Sequence, residues 1–231
     1  MLHALVHVDW SRLSHAQGVA DDVPSLLKSI ERGDSYEREE ACQELLRLLC
    51  HDGAVFDATA PTVPFLYELL GCVPTSQDRE NLLWLLACAA RGTGATEEAV
   101  RTAVAMGVEQ AFAWLRDPHP RVRLHAALVC AVVPTRPVLT QVLGQAVERE
   151  RALDVRVGLS LALAVHGVFS EAVYDSDDDD LPLDRLDPVV RRAAKGERRA
   201  EVIELLAALA SEGLDETLLD ALEVAPRSRS V

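Results

Sequence analysis

Short amphipathic segments separated by turn residues run along most of the chain. From residue 23 to residue 32, apolar side chains recur every three or four positions, which predicts a helix that ends at Gly33. The next predicted helix, 35–50, ends before the turn His51-Asp52-Gly53. The alternation then continues, and the remaining predicted helices span 62–70, 78–90, 97–116, 121–133, 137–150, 155–165, 188–195, 197–211 and 214–224.

These helices are grouped in pairs, and no single short pair can bury its own apolar face. A recurring start of the second helix supports the pairing: an acidic residue is followed by an arginine and then by small or apolar residues. The arginine position is held by Arg38, Arg123 and Arg156, with Asn81 in the corresponding place of a degenerate copy, at intervals of about 33 to 43 residues. The sequence therefore predicts an all-α fold, an α–α superhelix of about five helix pairs.

The best copies resemble the HEAT-repeat family, in which an aspartate lies in the turn inside each repeat and a Val-Arg pair opens the second helix. Asp117, Val122 and Arg123 match this pattern, as do Asp154, Val155 and Arg156. We expect the aspartate to cap the following helix and the arginine to bond an aspartate of the neighbouring repeat. The predicted repeat residues are Asp34, Arg38, Asp117, Arg123, Asp154 and Arg156.

The resemblance covers about residues 22–170. Segments 8–16 and 51–66 are also similar to those of a group of bacterial HEAT-repeat proteins of unassigned function. The whole chain, 1–231, is interpreted as one HEAT-repeat domain. Its predicted parts are an N-terminal segment (1–21), core repeats (22–170), an acidic loop (171–187), capping helices (188–224) and a tail (225–231).

Composition narrows the classes of function. The formal net charge of −14 opposes binding to nucleic acid, because phosphate contacts need clustered lysine and arginine. The five cysteines form no C-x-x-C pair and mostly lie in apolar helical context, which is typical of small buried residues in a reducing compartment. The chain contains no apolar run of about 18 residues. A cytoplasmic, bacterial protein is the resulting expectation.

Candidate chemistry is sparse. Asp175, Asp177 and Asp179 have the spacing of the first calcium ligands of an EF-hand, but Asp180 stands where glycine is needed and Leu186 where glutamate is needed. The histidines do not show the spacing of a zinc site, and no nucleophile or phosphate-loop signature is present. The sequence predicts no catalytic residues, no metal and no cofactor.

One enzymatic alternative remains open. The alkylpurine DNA glycosylases are built from HEAT-like repeats, and Trp84, Trp114 and Asp117 could be imagined in the aromatic and acidic roles that such enzymes need. However, Trp84 lies in an apolar run that is typical of a protein core. The middle of the chain is its most basic stretch, with Arg121, Arg123, Arg136, Arg149, Arg151 and Arg156.

The leading hypothesis is a non-enzymatic scaffold that binds a protein partner through an inner surface formed by the second helices. Positions two residues after each repeat arginine, or after Asn81, are the predicted contacts: Glu40, Leu83 and His125. A variant of the hypothesis is an antidote to a basic toxin, in which acidic residues cover the basic site of the toxin. The predicted contacts in that case are Asp177, Asp178, Asp179 and Asp180.

Overall fold

The computed structural model describes residues 2–170, 183–197 and 199–213, with the backbone alone for 183–188. The chain divides into two compact units, Met1–Val133 and Pro134–Val231. Asp177 to Asp180, the predicted acidic contacts, lie outside the described residues, as does the predicted helix 214–224.

The first unit is a row of three helix pairs. The first helices of the pairs (α1, α3 and α5) pack side by side, the second helices (α2, α4 and α6) form a parallel layer, and α4 touches helices of both layers. Because each helix packs on the pair before or after it, the apolar faces close into one core. The helices are α1 (Val23–Arg32), α2 (Ser35–Leu49), α3 (Thr59–Leu70), α4 (Ser76–Arg91), α5 (Glu97–Ala111) and α6 (Pro120–Val132).

Short polar segments fix where the second helices begin. The Asp34 carboxylate accepts hydrogen bonds from two N–H groups of the first turn of α2, and Glu37 reaches back to the Asp34 N–H in a capping box. Thr75 and Asp78 form the same device at the start of α4. A proline in the first turn begins α6.

The N-terminal segment covers the first-helix layer. It contains two 3₁₀ turns, His3–His7 and Trp10–Arg12, and a short antiparallel hairpin formed by β1 (Ser14–His15) and β2 (Gly18–Val19). Buried Trp10 packs on Phe65 of α3, with ring centroids 6.2 Å apart. This cover explains why α3 is buried along most of its length.

The second unit contains two further helix pairs. Its helices are α7 (Pro137–Val147), α8 (Leu153–Val165), α9 (Leu183–Ala194) and α10 (Arg199–Glu212). Helix α8 packs against α7, α9 and α10, and it is buried from Val157 to Val165. The sequence predicted the start of α9 at residue 188, where a proline favours a first turn; the structure begins the helix inside the predicted loop.

The all-α fold class predicted from the sequence is confirmed, as is the packing of neighbouring helices in a row, which is the arrangement of an α–α superhelix. Within the described residues the helices form five pairs, in agreement with the sequence. The predicted helix 97–116 is divided: α5 ends at Ala111 and a 3₁₀ turn, Phe112–Arg116, follows. None of the described helices is both long enough and apolar enough to span a lipid bilayer.

Candidate functional site

An arginine stands at the fourth residue of each of the first four second helices: Arg38 in α2, Arg79 in α4, Arg123 in α6 and Arg156 in α8. In the first unit, each of these arginines reaches back to a carbonyl oxygen just before its own helix. The donor–acceptor distances are 2.8 Å from Arg38 to Gly33 and 3.1 Å from Arg123 to Pro118. The arginine therefore secures the turn that precedes its helix.

The same arginines join neighbouring repeats. The Nε atom of Arg38 lies 3.0 Å from a carboxylate oxygen of Asp78, and Nη1 of Arg79 lies 3.5 Å from Asp117. Both carboxylates are buried, at 4% and 6% exposure. Because a buried carboxylate needs a partner, each pair ties one second helix to the next repeat. We call Arg38–Asp78 and Arg79–Asp117 the ladder.

The ladder corrects the repeat alignment made from the sequence. Arg79, and not Asn81, holds the repeat position in α4, since both Arg79 and Arg38 are fourth residues of their helices. The predicted contact in α4 was counted from Asn81 and so came out two residues too late, at Leu83. Leu83 is fully buried, and its side chain is core rather than surface. The equivalent of Glu40 in α4 is Asn81, which is half-buried.

The other predicted repeat residues occupy related places. Asp34 caps α2, and Asp117 accepts a hydrogen bond from the N–H of His119 at 2.8 Å just before α6 begins. Asp154 lies inside the first turn of α8 instead of capping it, and its carboxylate accepts from the N–H of Val155. An acidic residue in a first turn still interacts favourably with the helix dipole.

In the first unit, the outward-facing positions of α2, α4 and α6 lie at fixed distances along the sequence from the repeat arginines. Two residues before each arginine the side chain is exposed in all three helices, at Tyr36, Gln77 and Arg121. Five residues after it, Gln43 is exposed and Trp84 is half-buried. These positions, with neighbouring exposed or half-buried residues of the same helices, are named here the second-helix face. It comprises Tyr36, Glu39, Glu40 and Gln43 of α2, Gln77, Asn81, Trp84 and Cys88 of α4, with His119 and Arg121 at the start of α6.

A polar cluster lies where α4 and α6 meet this face. The buried carboxylate of Glu80 contacts His119 Nδ1 and Arg121 Nε, each at 3.0 Å. The imidazole of His125 donates from Nδ1 to the Arg121 carbonyl oxygen at 2.7 Å. Its ring meets Trp84 edge-on, with the ring centroids 5.9 Å apart. Trp84 therefore packs against the cluster and stays half-buried.

The position of His125 differs from the sequence prediction, which placed it on the surface as a partner contact. It is only 4% exposed, and burial lowers the pKa of its imidazole, so it stays neutral at physiological pH. A histidine can be buried here because its ring N–H bonds a backbone carbonyl one turn earlier in the same helix. His125 therefore supports the second-helix face from below, whereas Glu40 is exposed on it.

Three cysteine thiols of the first unit are shielded from solvent. Burial raises the pKa of Cys42 and of Cys130 to about 12, and it also raises the pKa of Cys50, so these thiols stay protonated. In the part of the chain that the structure describes, no three His, Cys, Asp or Glu side chains converge as metal ligands. The Asp117 carboxylate, considered above for a glycosylase, is paired with Arg79.

The fold and the ladder define an all-α protein of stacked helix pairs with one open polar and aromatic face. Comparisons with protein-family models, with curated proteins and with solved structures find no match for this chain. The HEAT-repeat resemblance therefore stays a prediction from the sequence.

Proposed function

We propose that this protein is a non-enzymatic interaction scaffold that binds a partner protein through the second-helix face of its first unit. The observation that carries the proposal is the solvent exposure of two aromatic side chains on that face. Tyr36 is 71% exposed, and Trp84 is half-buried against His125. Tyrosine and tryptophan dominate the binding energy of protein interfaces because they combine a large apolar area with a polar group.

The polar ends of both aromatic residues are available to a partner. Within the described residues, the Tyr36 hydroxyl and the Trp84 indole N–H have no hydrogen-bond partner. Neighbouring amides are held by their own helices, since Gln77 donates to Asn81 and Gln43 donates to Glu39. A partner could bond the free donors without disrupting internal bonds, which favours association.

The buried ladder supplies the rigidity that a binding surface needs. Arg38 fixes α2 to the start of α4, and Arg79 fixes α4 to the turn before α6. Side chains on packed helices lose little freedom on binding, so the surface is preorganised. A cytoplasmic site of action and a role as antidote to a basic toxin belong to this proposal. None of the described contacts favours the glycosylase alternative, and it is not proposed.

Affinity capture with matched variants tests the proposal. The tagged wild-type protein, Trp84→Ala and Met106→Ala would be used as baits in a native lysate, and bound proteins identified by mass spectrometry. Met106 is 78% exposed on α5, in the other helix layer, so it controls for general apolar stickiness. We expect a partner that is retained by Met106→Ala and lost with Trp84→Ala.

The purified partner then gives the decisive measurement. By calorimetry, we expect Trp84→Ala to weaken binding at least about tenfold, as at an interface hot spot, and Met106→Ala to leave it unchanged. Equal losses with both variants would contradict the assigned face. Recovery of nucleic acid in place of a protein would instead support the glycosylase alternative.

A further inference from the structure

Two arginines of the described residues lie over aromatic rings. In the first unit, the Arg79 guanidinium carbon lies 5.0 Å from the centroid of the Trp114 ring, and the same side chain contacts the Asp117 carboxylate. In the second unit, Arg191 lies 4.2 Å above the ring of Phe169. Cations bind ring faces because the π-electrons make those faces negative, and a nearby carboxylate adds to the attraction.

Trp84 is half-buried, and no cation among the described residues lies on its ring. Its edge contact with His125 supplies no charge, because burial keeps that imidazole neutral. In the arrangement of Arg79, Trp114 and Asp117, the cation comes from the chain itself. At Trp84 a cation would have to come from a partner.

The charges of the second-helix face favour a cation. Glu39 and Glu40 are exposed on the adjacent helix α2, and neither forms an ion pair with a described side chain. The cation of the face, Arg121, is already paired with the buried carboxylate of Glu80. Among the described residues of the face, the unpaired charges are therefore those of Glu39 and Glu40, and negative charge repels phosphate groups and attracts basic side chains.

We propose that the second-helix face recognises a basic segment of a partner protein, with one arginine or lysine stacked on Trp84 and neighbouring cations paired with Glu39 and Glu40. The inference rests on the proposed scaffold function and names the chemical class of its partner. It also moves the acidic contact from the predicted loop, Asp177 to Asp180, to the surface of α2. Nucleic acids and anionic membranes do not fit this surface.

Binding of synthetic peptides tests the inference. A fluorescein-labelled peptide of repeated Arg-Gly-Ser triplets would be titrated with the full chain and followed by fluorescence anisotropy. A peptide of Glu-Gly-Ser triplets and a single-stranded oligonucleotide would serve as comparison ligands. We expect the double variant Glu39→Gln and Glu40→Gln to bind the basic peptide about fivefold more weakly, as befits the loss of two exposed ion pairs.

Two further variants separate specific recognition from general charge attraction. Trp84→Leu keeps the charge and removes the ring, and should weaken binding of the basic peptide about tenfold. Glu98→Gln with Glu109→Gln removes the same charge from exposed positions of α5 and should leave binding unchanged. In NMR spectra, the indole N–H signal that Trp84→Leu removes should shift more than those of the other tryptophans.

Equal weakening by the α5 control variant, or an unchanged affinity of Trp84→Leu, would overturn the inference. Equal binding of the acidic peptide or the oligonucleotide would do the same. If the basic peptide fails to bind but capture of a partner still depends on Trp84, the scaffold function stands and the basic class of partner is wrong. If neither depends on Trp84, both proposals fail.

Discussion

Replacing Arg38 with methionine tests whether the ladder holds the first unit together. The guanidinium lies 3.0 Å from the Asp78 carboxylate and donates to the Gly33 carbonyl, and the two charged side chains are only 11% and 6% exposed. A buried pair that loses one partner typically costs about 3–5 kcal/mol. Because Thr75 continues to donate to Asp78, we expect the free energy of unfolding to fall by about 2–3 kcal/mol.

Two companion variants show whether the loss of stability comes from the unpaired carboxylate of Asp78. Adding Asp78→Asn to Arg38→Met removes the uncompensated carboxylate and should recover about 1–2 kcal/mol. Arg47→Met makes the same substitution on the same helix at an exposed pair with Glu44, and should not change stability measurably. Urea denaturation, monitored by circular dichroism, is measured for the wild type and the three variants. Their midpoints are compared at a common slope.

At acid pH, the free energies of unfolding of the wild type and of Arg38→Met should become more similar. Burial alone would raise the pKa of Asp78, but hydrogen bonds from Arg38 and Thr75 more than offset it, so the pKa lies below its ordinary value of about 3.9. A lowered folded-state pKa gives stability that is present above about pH 4 and is lost as the pH falls through the folded value. The ladder interpretation is wrong if Arg38→Met unfolds at the wild-type midpoint at neutral pH, or if the double variant is the less stable of the two.

A Cβ atom on Gly107 would lie 2.3 Å from the Tyr67 ring, so Gly107→Ala should lower the free energy of unfolding by about 1–3 kcal/mol. Gly144→Ala, which meets no atom within 4 Å, should raise it by up to about 1 kcal/mol; a Gly107→Ala variant as stable as the wild type in urea denaturation would contradict the packing of α3 on α5. Burial lowers the pKa of His125, so its neutral ring stabilises the fold above about pH 6.5 and less below it. His125→Asn should therefore flatten the pH dependence of the thermal midpoint; an unchanged dependence would count against the assignment. The Cys130 thiol, its pKa raised to about 12 by burial, should react with iodoacetamide only in urea, as peptide mapping can show; labelling of the folded protein would refute this.

Helix positions could be predicted from the sequence because the apolar periodicity and the caps agree. The predicted helix that begins at residue 23 matches α1, Val23–Arg32, and most other boundaries differ by three residues or fewer. The larger differences occur at α5 and α9. In α5 the helix becomes a 3₁₀ turn at Phe112, with no glycine or proline to mark the change. Local periodicity contains no information about such a transition.

The candidate site could be predicted only in part, because its register depends on one cap. Counting from Asn81 placed Leu83 on the surface; the box formed by Thr75 and Asp78 places the start of α4 at Ser76 and makes Arg79 the repeat arginine. That Thr-x-x-Asp signal was present in the sequence. The burial of His125 was not predictable in the same way, since it depends on Trp84 from a neighbouring helix.

The ladder also keeps two arginines of the second helices paired inside the row instead of on the second-helix face. Arg38 and Arg79 pair with the buried carboxylates of Asp78 and Asp117, so their charges are already balanced within the row. Glu39 and Glu40, which are exposed on α2, form no ion pair with a described side chain. Stability and recognition consequently reside in different residues of the same helices. Ladder substitutions should weaken partner binding only as far as they unfold the row, whereas Trp84→Leu should weaken binding even under conditions in which the variant is fully folded.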